Sequence, residues 1–290
     1  MTQGDFALSF PETTVRGGPH ADRFRALIRQ MTGISLPPAK IHLIEQRLRR
    51  RVAAFDLPDT ESYLQMLMDQ PGMDEELRHV IDLITTNTTS FFRESAHFDM
   101  LAATIIPDRI ARTPAGQRPR LKLWSAASSE GAEAFTMAIV LAELQRRGMA
   151  FDYAVLGTDI SNRMLHRAAE AIYDDDQLST IPADLRARYF LTGAHPSVAG
   201  KARVVPELRR KVRFRHMNLM DDRYGVDHDV DVIFLRNVLI YFDQADKERV
   251  VKRLASHLAP RGYLIVGHAE SMVVRDAQLT QVKPTIFQKI

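Results

Sequence analysis

Between residues 20 and 85, apolar residues recur every three or four positions, which is the period of amphipathic helices. The first of these helices carries Phe24, Leu27, Ile28 and Met31. Gly33 is placed to end it, and a second helix follows Pro37-Pro38. Two more stretches of this kind reach residue 84. The pattern predicts a small all-helical domain over residues 19–85, preceded by a loose polar tail over residues 1–18.

After residue 120 the pattern changes to short apolar runs that alternate with helical stretches. The predicted strands cover residues 121–124, 153–156, 212–215, 230–235, 263–266 and 285–288. The predicted helices cover residues 132–147, 162–171 and 244–258. This alternation over residues 120–290 predicts an open α/β sheet with parallel strands. Residues 86–119 form a predicted linker with a helix over 95–111, and the polar stretch 173–210 is predicted to be an insertion with its own small structure.

Composition narrows the function classes. The chain has 290 residues, 45% of them hydrophobic and 26% charged, so it is globular and long enough for about two domains of ~150 residues. The absence of cysteine excludes disulfides, zinc–thiolate sites and a cysteine nucleophile. No apolar run approaches the ~20 residues of a membrane span, and the N-terminus lacks signal-peptide features. We therefore expect a cytoplasmic protein. With a net charge of only +3, any basic partner surface must be local.

In an open α/β sheet, ligands bind at the carboxyl ends of the strands. Small residues and two acids, Glu130 and Glu133, follow the first strand, and acids at a helix start suit a cationic ligand better than a phosphate. Alternatively, they only complement the helix dipole. Asp159 ends the second strand, where a carboxylate can accept hydrogen bonds from both ribose hydroxyls. Alternatively, Asp159 caps the next helix, although Ser161 can do so by itself.

Two other polar segments are candidates for a site. Arg236 and Asn237 follow the fourth strand between two apolar runs, so burial would demand partners for them; the alternative is an internally hydrogen-bonded turn. The small polar residues 85–90 precede Phe-Phe-Arg, a pattern difficult to explain as core. The alternative there is a helix cap with two anchoring aromatic residues.

The second helix carries a basic surface, with Lys40, Arg47 and Arg51 on one side of its apolar stripe and Arg50 nearly opposite the stripe. A solvated face is the default interpretation. The sharper hypothesis is a docking face for an acidic helix.

Taken together, the motifs resemble those of the chemotaxis-receptor glutamate O-methyltransferases, the CheR family, over residues 20–290. The matching segments are Thr86-Asn87-Thr88-Thr89-Ser90-Phe91-Phe92-Arg93-Glu94, Trp124-Ser125-Ala126, Gly157-Thr158-Asp159-Ile160-Ser161, Asn218-Leu219, Arg236-Asn237-Val238-Leu239-Ile240-Tyr241-Phe242, and Gly267-His268 with Glu270-Ser271. Each motif alone is moderately specific, whereas six in order at fitting spacing are highly specific.

The resemblance implies a Rossmann-like domain that binds S-adenosylmethionine, a small β-subdomain inserted in it, and a helical N-terminal domain that recognises the receptor. The cofactor-binding residues implied in this way are Asn87, Thr89, Arg93, Glu133, Asp159, Asn218, Leu219, Arg236 and Asn237. Arg93 and Tyr241 are the implied catalytic residues, which would position the substrate carboxylate. The basic residues Arg47, Arg50 and Arg51 would bind the receptor.

One segment departs from the family pattern. The family usually reads Gly-Glu-Glu-Pro-Tyr after the first strand, whereas this chain reads Gly131-Ala132-Glu133-Ala134-Phe135. Glu133 aligns with the second acid. If the family contact uses the first acid, Ala132 cannot make it and Glu130 is the candidate substitute.

The implied activity is S-adenosylmethionine-dependent methylation of glutamates in the cytoplasmic domain of chemoreceptors, the methyl-accepting chemotaxis proteins. A receptor tail peptide held by the β-subdomain is a further implied contact, and we expect a monomer. The alternative within the family is a non-catalytic cofactor- or partner-binding protein. A nucleic-acid methyltransferase is disfavoured because there is no cysteine nucleophile and the net charge is low. The histidine spacing predicts no metal site.

Overall fold

The structure, a computed structural model, describes residues 18–193, 195 and 199–290. The predicted tail therefore lies, apart from Gly18, outside the described residues. The chain divides into two compact units. The first comprises the described residues up to Arg29 together with Ser35–Ile84, and the second comprises Gln30–Ile34 and Thr85–Ile290. No helix in the described part of the chain is long and apolar enough to cross a membrane.

The first unit is helical, as the apolar spacing predicts. Its helices are α1 (Pro19–Thr32, whose last turn is grouped with the second unit), α2 (Ile41–Ala54), α3 (Thr60–Asp69) and α4 (Asp74–Ile84). The Asp59 carboxylate caps α3 by accepting a hydrogen bond of 2.8 Å from the Ser62 backbone N–H. Fully buried side chains from the four helices, among them Phe24, Leu48 and Tyr63, form the core of this unit.

A helical segment opens the main part of the second unit. It consists of α5 (Ala96–Met100), a π-helical turn (Leu101–Ile105) and α6 (Ile106–Ala111), so the helix predicted over 95–111 is present with a wider turn in its middle. Pro107 lies two residues after the π turn and has no N–H to donate to the preceding turn, which accounts for the local change in hydrogen bonding.

The remainder of the second unit alternates strands and helices. The strands are β1 (Arg120–Ala126), β2 (Asp152–Asp159), β3 (Ile172–Asp174), β4 (Phe190–Thr192), β5 (Lys201–Val204), β6 (Val212–His216), β7 (Val230–Leu235), β8 (Leu258–Val266), β9 (Leu279–Lys283) and β10 (Ile286–Lys289). The helices are α7 (Ala132–Arg146), α8 (Asn162–Glu170), α9 (Asp175–Leu178), α10 (Ala183–Tyr189), α11 (Pro206–Arg209) and α12 (Gln244–His257).

The main sheet of the described residues has the strand order β6-β2-β1-β7-β8-β10-β9. The strands from β6 to β8 are parallel, as predicted, but β10 runs antiparallel to both β8 and β9. The parallel arrangement expected for the sheet therefore does not extend to this edge. The short turn between β9 and β10 dictates an antiparallel hairpin, and β9 itself shows no apolar alternation because nearly all of its side chains are exposed.

Side chains alternate across the centre of the sheet. On β1, Leu121 and Leu123 pack on the face covered by α7, whereas Trp124 and Ala126 pack on the face covered by α12. Every residue of β7 is buried, which is typical of a central parallel strand covered on both faces. The candidate site residues follow the ends of these covered strands.

The predicted insertion contains a three-stranded antiparallel sheet in the order β3-β5-β4. Phe91 anchors this small sheet. Its ring packs edge-to-face against Tyr173, with centroids 4.8 Å apart, and against Phe190 at 5.4 Å. The Thr180 hydroxyl donates to the Phe91 carbonyl at 2.9 Å. The inserted sheet is thus attached to the polar segment that starts the second unit.

Candidate functional site

The strand order reverses between β1 and β7. From β1 the chain moves outward to β2 and then β6, and it returns to the other side of β1 to form β7 and β8. In open α/β sheets this reversal leaves a crevice at the carboxyl ends of the two central strands, and ligands bind there. Ala126 and Leu235 are the last residues of these strands, so the site is expected around the segments that follow them.

The loop from β1 to α7 is tightly wound. Ala127 and Ser129 adopt left-handed backbone conformations, with φ of 63° and 50°, and Gly131 precedes α7 at φ 88°. A Cβ at Gly131 would lie only 2.8 Å from the Phe214 ring and 3.0 Å from Ala168 Cβ. Glycine is therefore required both by the conformation and by the close packing beneath the loop.

Asp159 ends β2 and holds this loop in place. Its side chain is buried; Oδ2 accepts a hydrogen bond from the Ser129 N–H at 2.8 Å, and Oδ1 accepts one from the Ser161 N–H at 2.9 Å. Ser161 caps α8 through the Met164 N–H, as predicted. The ribose contact of Asp159 stays a prediction.

Glu133 lies in the first turn of α7, and its side chain is 12% exposed. Its Oε1 accepts from the Ser125 hydroxyl at 2.7 Å, and its Oε2 pairs with Arg236 Nη1 at 3.0 Å. Burial raises the pKa of Glu133, and the Arg236 guanidinium opposes that rise. A buried acid of this kind favours an additional cation nearby, which suits its predicted contact with an amino group.

The Arg236 side chain connects the end of β7 with residues 93 and 94. Its side chain is 2% exposed and pairs with Glu133, lies 3.6 Å from Glu94 Oε2, and donates to the Arg93 carbonyl. Its guanidinium also lies over the Phe98 ring, 5.5 Å from the centroid. The fold therefore brings the predicted residues Arg93, Glu133 and Arg236 together, although they are far apart in sequence.

Asn237 completes this group. Its Nδ2 donates to Glu94 Oε1 at 3.3 Å, and its backbone is left-handed with φ 59°. Phe92 and Glu94 are also left-handed, with φ of 52° and 54°. Non-glycine residues adopt this conformation at a cost of about 1–2 kcal/mol each, and such strain is concentrated at functional sites.

Three further predicted residues lie in the polar segment before α5. The Asn87 carbonyl accepts from the Ser129 hydroxyl at 2.8 Å, which joins this segment to the loop after β1. Thr89 is partly buried, and Arg93 Nη1 donates to the Thr88 carbonyl at 3.0 Å. Of the alternative, the helix cap is not observed, because the Ser95 side chain makes no cap hydrogen bond to α5, whereas Phe91 does act as an anchoring aromatic residue.

Asn218 and Leu219 follow β6. The Asn218 side chain donates to the Met31 carbonyl at 2.5 Å and accepts from the Met220 N–H at 2.9 Å, while Leu219 is buried on the α12 face of the sheet. Tyr241 ends the 3₁₀ turn Leu239–Tyr241 after β7 and is partly buried. The cofactor roles of the first two residues and the catalytic role of Tyr241 stay predictions.

Glu130, the candidate substitute acid, serves another purpose. Its carboxylate accepts from the Gln177 side chain and pairs with Arg167 at 3.4 Å, while its carbonyl accepts from the Tyr173 hydroxyl at 2.7 Å. Glu130 therefore holds the inserted sheet against the loop after β1. The role of Glu130 as a substitute acid in cofactor binding stays a prediction.

Two acids without a predicted role, Glu94 and Glu270, turn out to organise the site. Both lie inside motifs that were identified in the sequence, and this position is the feature from which their importance could have been predicted. Burial alone would raise the pKa of Glu94, but Arg236, Asn237 and His268 more than compensate and hold its pKa below the usual range. Glu270 is 1% exposed and accepts hydrogen bonds from several backbone N–H groups after β7.

Among the described residues, Glu94, His97 and His268 form one group with the spacing of metal ligands. His268 Nδ1 lies 2.7 Å and His97 Nδ1 3.5 Å from Glu94 Oε2. However, the imidazole rings are stacked, 19° from parallel, so their in-plane lone pairs do not converge on one point. The Arg236 guanidinium beside Glu94 also disfavours a second cation. Within the group, Glu94 and His268 form a hydrogen bond, and the His97 ring is stacked on that of His268.

The site suits a polar, cationic ligand. Glu94, Glu133 and Asp159 supply carboxylates at this edge, which would repel a phosphate. Within the part of the chain that the structure describes, the buried atoms Ser128 Oγ and Arg236 Nε have no hydrogen-bond partner. Buried polar atoms without partners are uncommon, so these two are available to a bound molecule.

The predicted receptor-binding arginines lie on α2 in the first unit. Arg51 pairs with Glu76, with Nη2 2.5 Å from Oε2, and Arg47 donates to the Ile84 carbonyl at the end of α4. Arg50 is exposed. Two of the three arginines therefore hold the helices of this unit together, and Arg50 is the one best placed to meet a partner.

Comparison with known proteins agrees with the motifs. The chain matches the description "CheR methyltransferase, all-alpha domain" over residues 19–85 and "CheR methyltransferase, SAM binding domain" over residues 87–287. Chemotaxis protein methyltransferase 2 of Pseudomonas aeruginosa is 37% identical over 265 residues, which cover 91% of this chain and 90% of the relative.

Other relatives match over a similar length. The chemotaxis protein methyltransferase of Salmonella typhimurium is 38% identical over 263 residues, 90% of this chain and 87% of the relative. That of Borreliella burgdorferi is 33% identical over 258 residues, 89% of each. The predicted helical domain followed by a Rossmann-like, S-adenosylmethionine-binding domain is thereby confirmed. The chain belongs to the CheR methyltransferase family.

Proposed function

We propose that the protein is a protein-glutamate O-methyltransferase that methylates specific glutamates in the cytoplasmic domain of chemoreceptors. The products are a glutamate methyl ester and S-adenosylhomocysteine. The main support is the similarity to chemotaxis protein methyltransferases. The alignment with the Pseudomonas aeruginosa relative covers 91% of this chain. The acidic sheet edge is consistent with a cationic methyl donor.

S-adenosylmethionine, when bound, supplies a methyl group on a positively charged sulfur. We assign the ribose contact to Asp159 and the amino-group contact to Glu133, because both acids lie at the carboxyl edge next to β1. Asn87, Thr89, Asn218, Leu219 and Asn237 are the remaining predicted contacts. Arg236 binds and orients the Glu133 carboxylate, so it acts on the cofactor site through that acid.

The acceptor needs no general base. A glutamate side chain has a pKa near ~4.3, so it is ionised at neutral pH. Charge is lost when an anion reacts with a cationic donor, and water therefore stabilises the reactants more than the transition state. A site that excludes water and aligns the two groups accelerates such a reaction, and alignment alone can contribute roughly 7–11 kcal/mol.

Arg93 and Tyr241 are the proposed groups that orient the acceptor carboxylate. The guanidinium of Arg93 can bind a carboxylate with two parallel hydrogen bonds, and the Tyr241 hydroxyl can donate a third. Arg93 is held in place through its own carbonyl, which accepts from Arg236. Neither residue has to exchange a proton with the substrate.

The test of the activity is methyl transfer from radiolabelled S-adenosylmethionine to membranes that carry a chemoreceptor. We expect base-labile label in the receptor, because an ester is hydrolysed by alkali. The label should disappear when the acceptor glutamates of the receptor are changed to alanine. A protein that binds S-adenosylhomocysteine but transfers no label would be a non-catalytic member of the family.

Tyr241→Phe tests the catalytic assignment. The variant removes one hydrogen-bond donor, so we expect turnover to fall by about 10- to 100-fold, while S-adenosylmethionine binding in calorimetry stays within about twofold. Tyr153→Phe is the matched control, because the buried Tyr153 hydroxyl donates to the Ala138 carbonyl at 3.2 Å in the core of the same domain and contacts none of the proposed site residues through that bond. A collapse of cofactor binding in Tyr241→Phe would show that the assigned role is wrong.

A further inference from the structure

Glu270 carries a buried carboxylate that the methyl-transfer chemistry does not use. It lies in the 3₁₀ segment His268–Val273 after β8 and is 1% exposed. Its Oε2 accepts from the backbone N–H groups of Gly267 and Asn237, both at 2.8 Å. Its Oε1 accepts from those of Val238 at 2.8 Å and Leu239 at 2.7 Å. A carboxylate is tolerated in a buried position only when its oxygens accept hydrogen bonds, and here both oxygens do.

Three of these donors belong to the turn that leaves β7. That turn begins at Asn237, whose left-handed backbone (φ 59°) is uncommon outside glycine, although asparagine adopts it more readily than most residues. A strained backbone persists only where the surroundings fix it, and Glu270 binds three successive N–H groups of this turn. The Glu94 carboxylate holds the Asn237 side chain from the other direction, at 3.3 Å.

The same turn leads directly to Tyr241. The Tyr241 N–H donates to the Val238 carbonyl at 3.1 Å, so the residue that Glu270 binds is also the residue that closes the turn around Tyr241. A displacement of the backbone at 237–239 would therefore move both Asn237 and Tyr241.

Gly267 leaves the space that the carboxylate occupies. A Cβ at this position would lie 2.7 Å from Glu270 Oε2 and 2.9 Å from Asn237 Nδ2. Its φ of −69° is ordinary for any residue, so backbone freedom does not require glycine here. The close approach of Glu270 does.

We propose that Glu270 is a positioning residue for methyl transfer, because its buried carboxylate fixes the backbone of residues 237–239 and thereby sets the positions of Asn237 and Tyr241. The inference rests on the proposed function, since the role of Tyr241 is part of that function. Glu270 touches neither cofactor nor substrate and acts through the turn alone.

Glu270→Gln is the direct test. The substitution keeps the size of the side chain but replaces one oxygen with an NH₂ group that faces N–H donors, so the turn must shift. Misplacement of reacting groups by 1 Å can cost ~100-fold in rate. We expect kcat for receptor methylation to fall by about that factor, with KM for the receptor within about threefold.

Asp231→Asn is the matched control. Asp231 is also a buried carboxylate, but it lies at the opposite end of β7, where it pairs with Arg109 at 2.6 Å and accepts from the Lys122 N–H at 2.8 Å. Its loss should lower the urea midpoint of unfolding and leave kcat unchanged. A similar loss of stability in Glu270→Gln with unchanged kcat would overturn the proposal.

A double variant tests whether Glu270 acts through Tyr241. If it does, Glu270→Gln combined with Tyr241→Phe should be about as slow as the slower single variant, because the two changes remove one shared contribution. If the rate loss of the double variant equals the product of the two single losses, Glu270 does not act through Tyr241.

Gly267→Ala provides a second route if Glu270→Gln does not fold, since it retains the carboxylate but crowds both Glu270 Oε2 and the Asn237 side chain that the turn carries. We expect the same fall in kcat with KM maintained. If neither variant folds, Glu270 is a structural carboxylate and the proposal is overturned. A wild-type protein without methyl transfer would instead overturn the proposed function, whereas slow Tyr241→Phe with fully active Glu270→Gln would overturn the positioning role alone.

Discussion

At the scale of single residues, Arg236 shows how charge organises the site. Its guanidinium is almost completely buried and lies beside two carboxylates, the Arg93 carbonyl and an aromatic ring. A buried charge is tolerated only when it is paired and hydrogen-bonded. The identity of Arg236 is thus fixed by its neighbours, which lie in two other parts of the chain, residues 93–98 and Glu133 on α7.

His97 leads to a prediction about pH and stability. Burial, together with the nearby Arg236, lowers its pKa to about 4, compared with ~6.5 in an unfolded chain. As the pH falls, the unfolded chain takes up the proton first, so stability is lost between pH ~6.5 and ~4. The loss from this residue is on the order of 3 kcal/mol.

His97→Gln is expected to flatten the dependence of the unfolding free energy on pH across that window, measured by urea titration at several pH values. Glutamine keeps a polar end near Thr285, to which His97 Nε2 is hydrogen-bonded at 2.7 Å. His166→Gln, on the exposed side of α8, is the control and should leave the pH dependence unchanged. An equal slope for wild type and His97→Gln would contradict the assignment.

At the scale of elements, α2 carries two arginines in different surroundings: Arg51 is paired with Glu76, whereas Arg50 is exposed. Arg51 donates to Glu76 through Nε at 2.8 Å and Nη2 at 2.5 Å, and the Tyr63 hydroxyl donates to the same carboxylate. These bonds connect α2, α3 and α4. The Arg51 guanidinium and the Tyr63 hydroxyl hold the pKa of Glu76 below its usual value, although burial alone would raise it.

Charge reversal distinguishes an arginine that stabilises the helical unit from one that binds the receptor. Arg51→Glu places two carboxylates together, so we expect a loss of roughly 2–4 kcal/mol in unfolding free energy. Arg50→Glu should change stability by less than about 0.5 kcal/mol but raise the apparent KM for the receptor and weaken its salt dependence. Arg78→Glu, an exposed reversal on α4, is the control for net charge. Equal KM values for Arg50→Glu and Arg78→Glu would show that α2 is only a solvated face.

The loop from β1 to α7 gives a prediction with an internal control. Gly131 and Gly148 are both left-handed, with φ of 88° and 95°, but a Cβ at Gly148 would meet nothing within 4 Å. Gly148→Ala should therefore cost only the conformational penalty of about 1–2 kcal/mol in unfolding free energy. Gly131→Ala should cost more, because its Cβ would contact Phe214.

Gly131→Ala should also weaken S-adenosylhomocysteine binding in calorimetry, since the loop after β1 would move, whereas Gly148→Ala should bind normally. Equal stabilities and affinities for the two variants would mean that the packing beneath the loop does not constrain the site.

At the scale of the whole molecule, two compact units with separate cores predict two unfolding steps. The chain has one tryptophan, Trp124, which is fully buried in the second unit, so its fluorescence reports on that unit alone. Circular dichroism reports on both units.

S-adenosylhomocysteine should stabilise the second unit by about 2.7 kcal/mol at a concentration of 100 Kd. We therefore expect the fluorescence midpoint in urea to rise with ligand, while part of the circular dichroism transition stays in place. Coincident midpoints that move together would show that the chain unfolds as a single cooperative unit.

The sequence by itself determined the main succession of elements and the cofactor-binding class of the second domain, and it marked the segments that contain the candidate site residues. Those properties depend on local periodicity and on short motifs, and both involve residues that are close together in the sequence. The β9–β10 hairpin escaped prediction because β9 is mostly exposed and shows no alternation.

Only the tertiary structure decided how the marked residues combine. Glu94 and His268 are 174 positions apart in sequence and meet in one cluster, and Glu270 acts on a turn more than 30 residues before it. Likewise, Arg51 looks like any exposed arginine on a helical face until Glu76 is seen beside it. Hydrogen bonds and ion pairs between distant segments have no periodic signature, so the packing of the elements alone determines which charges find partners.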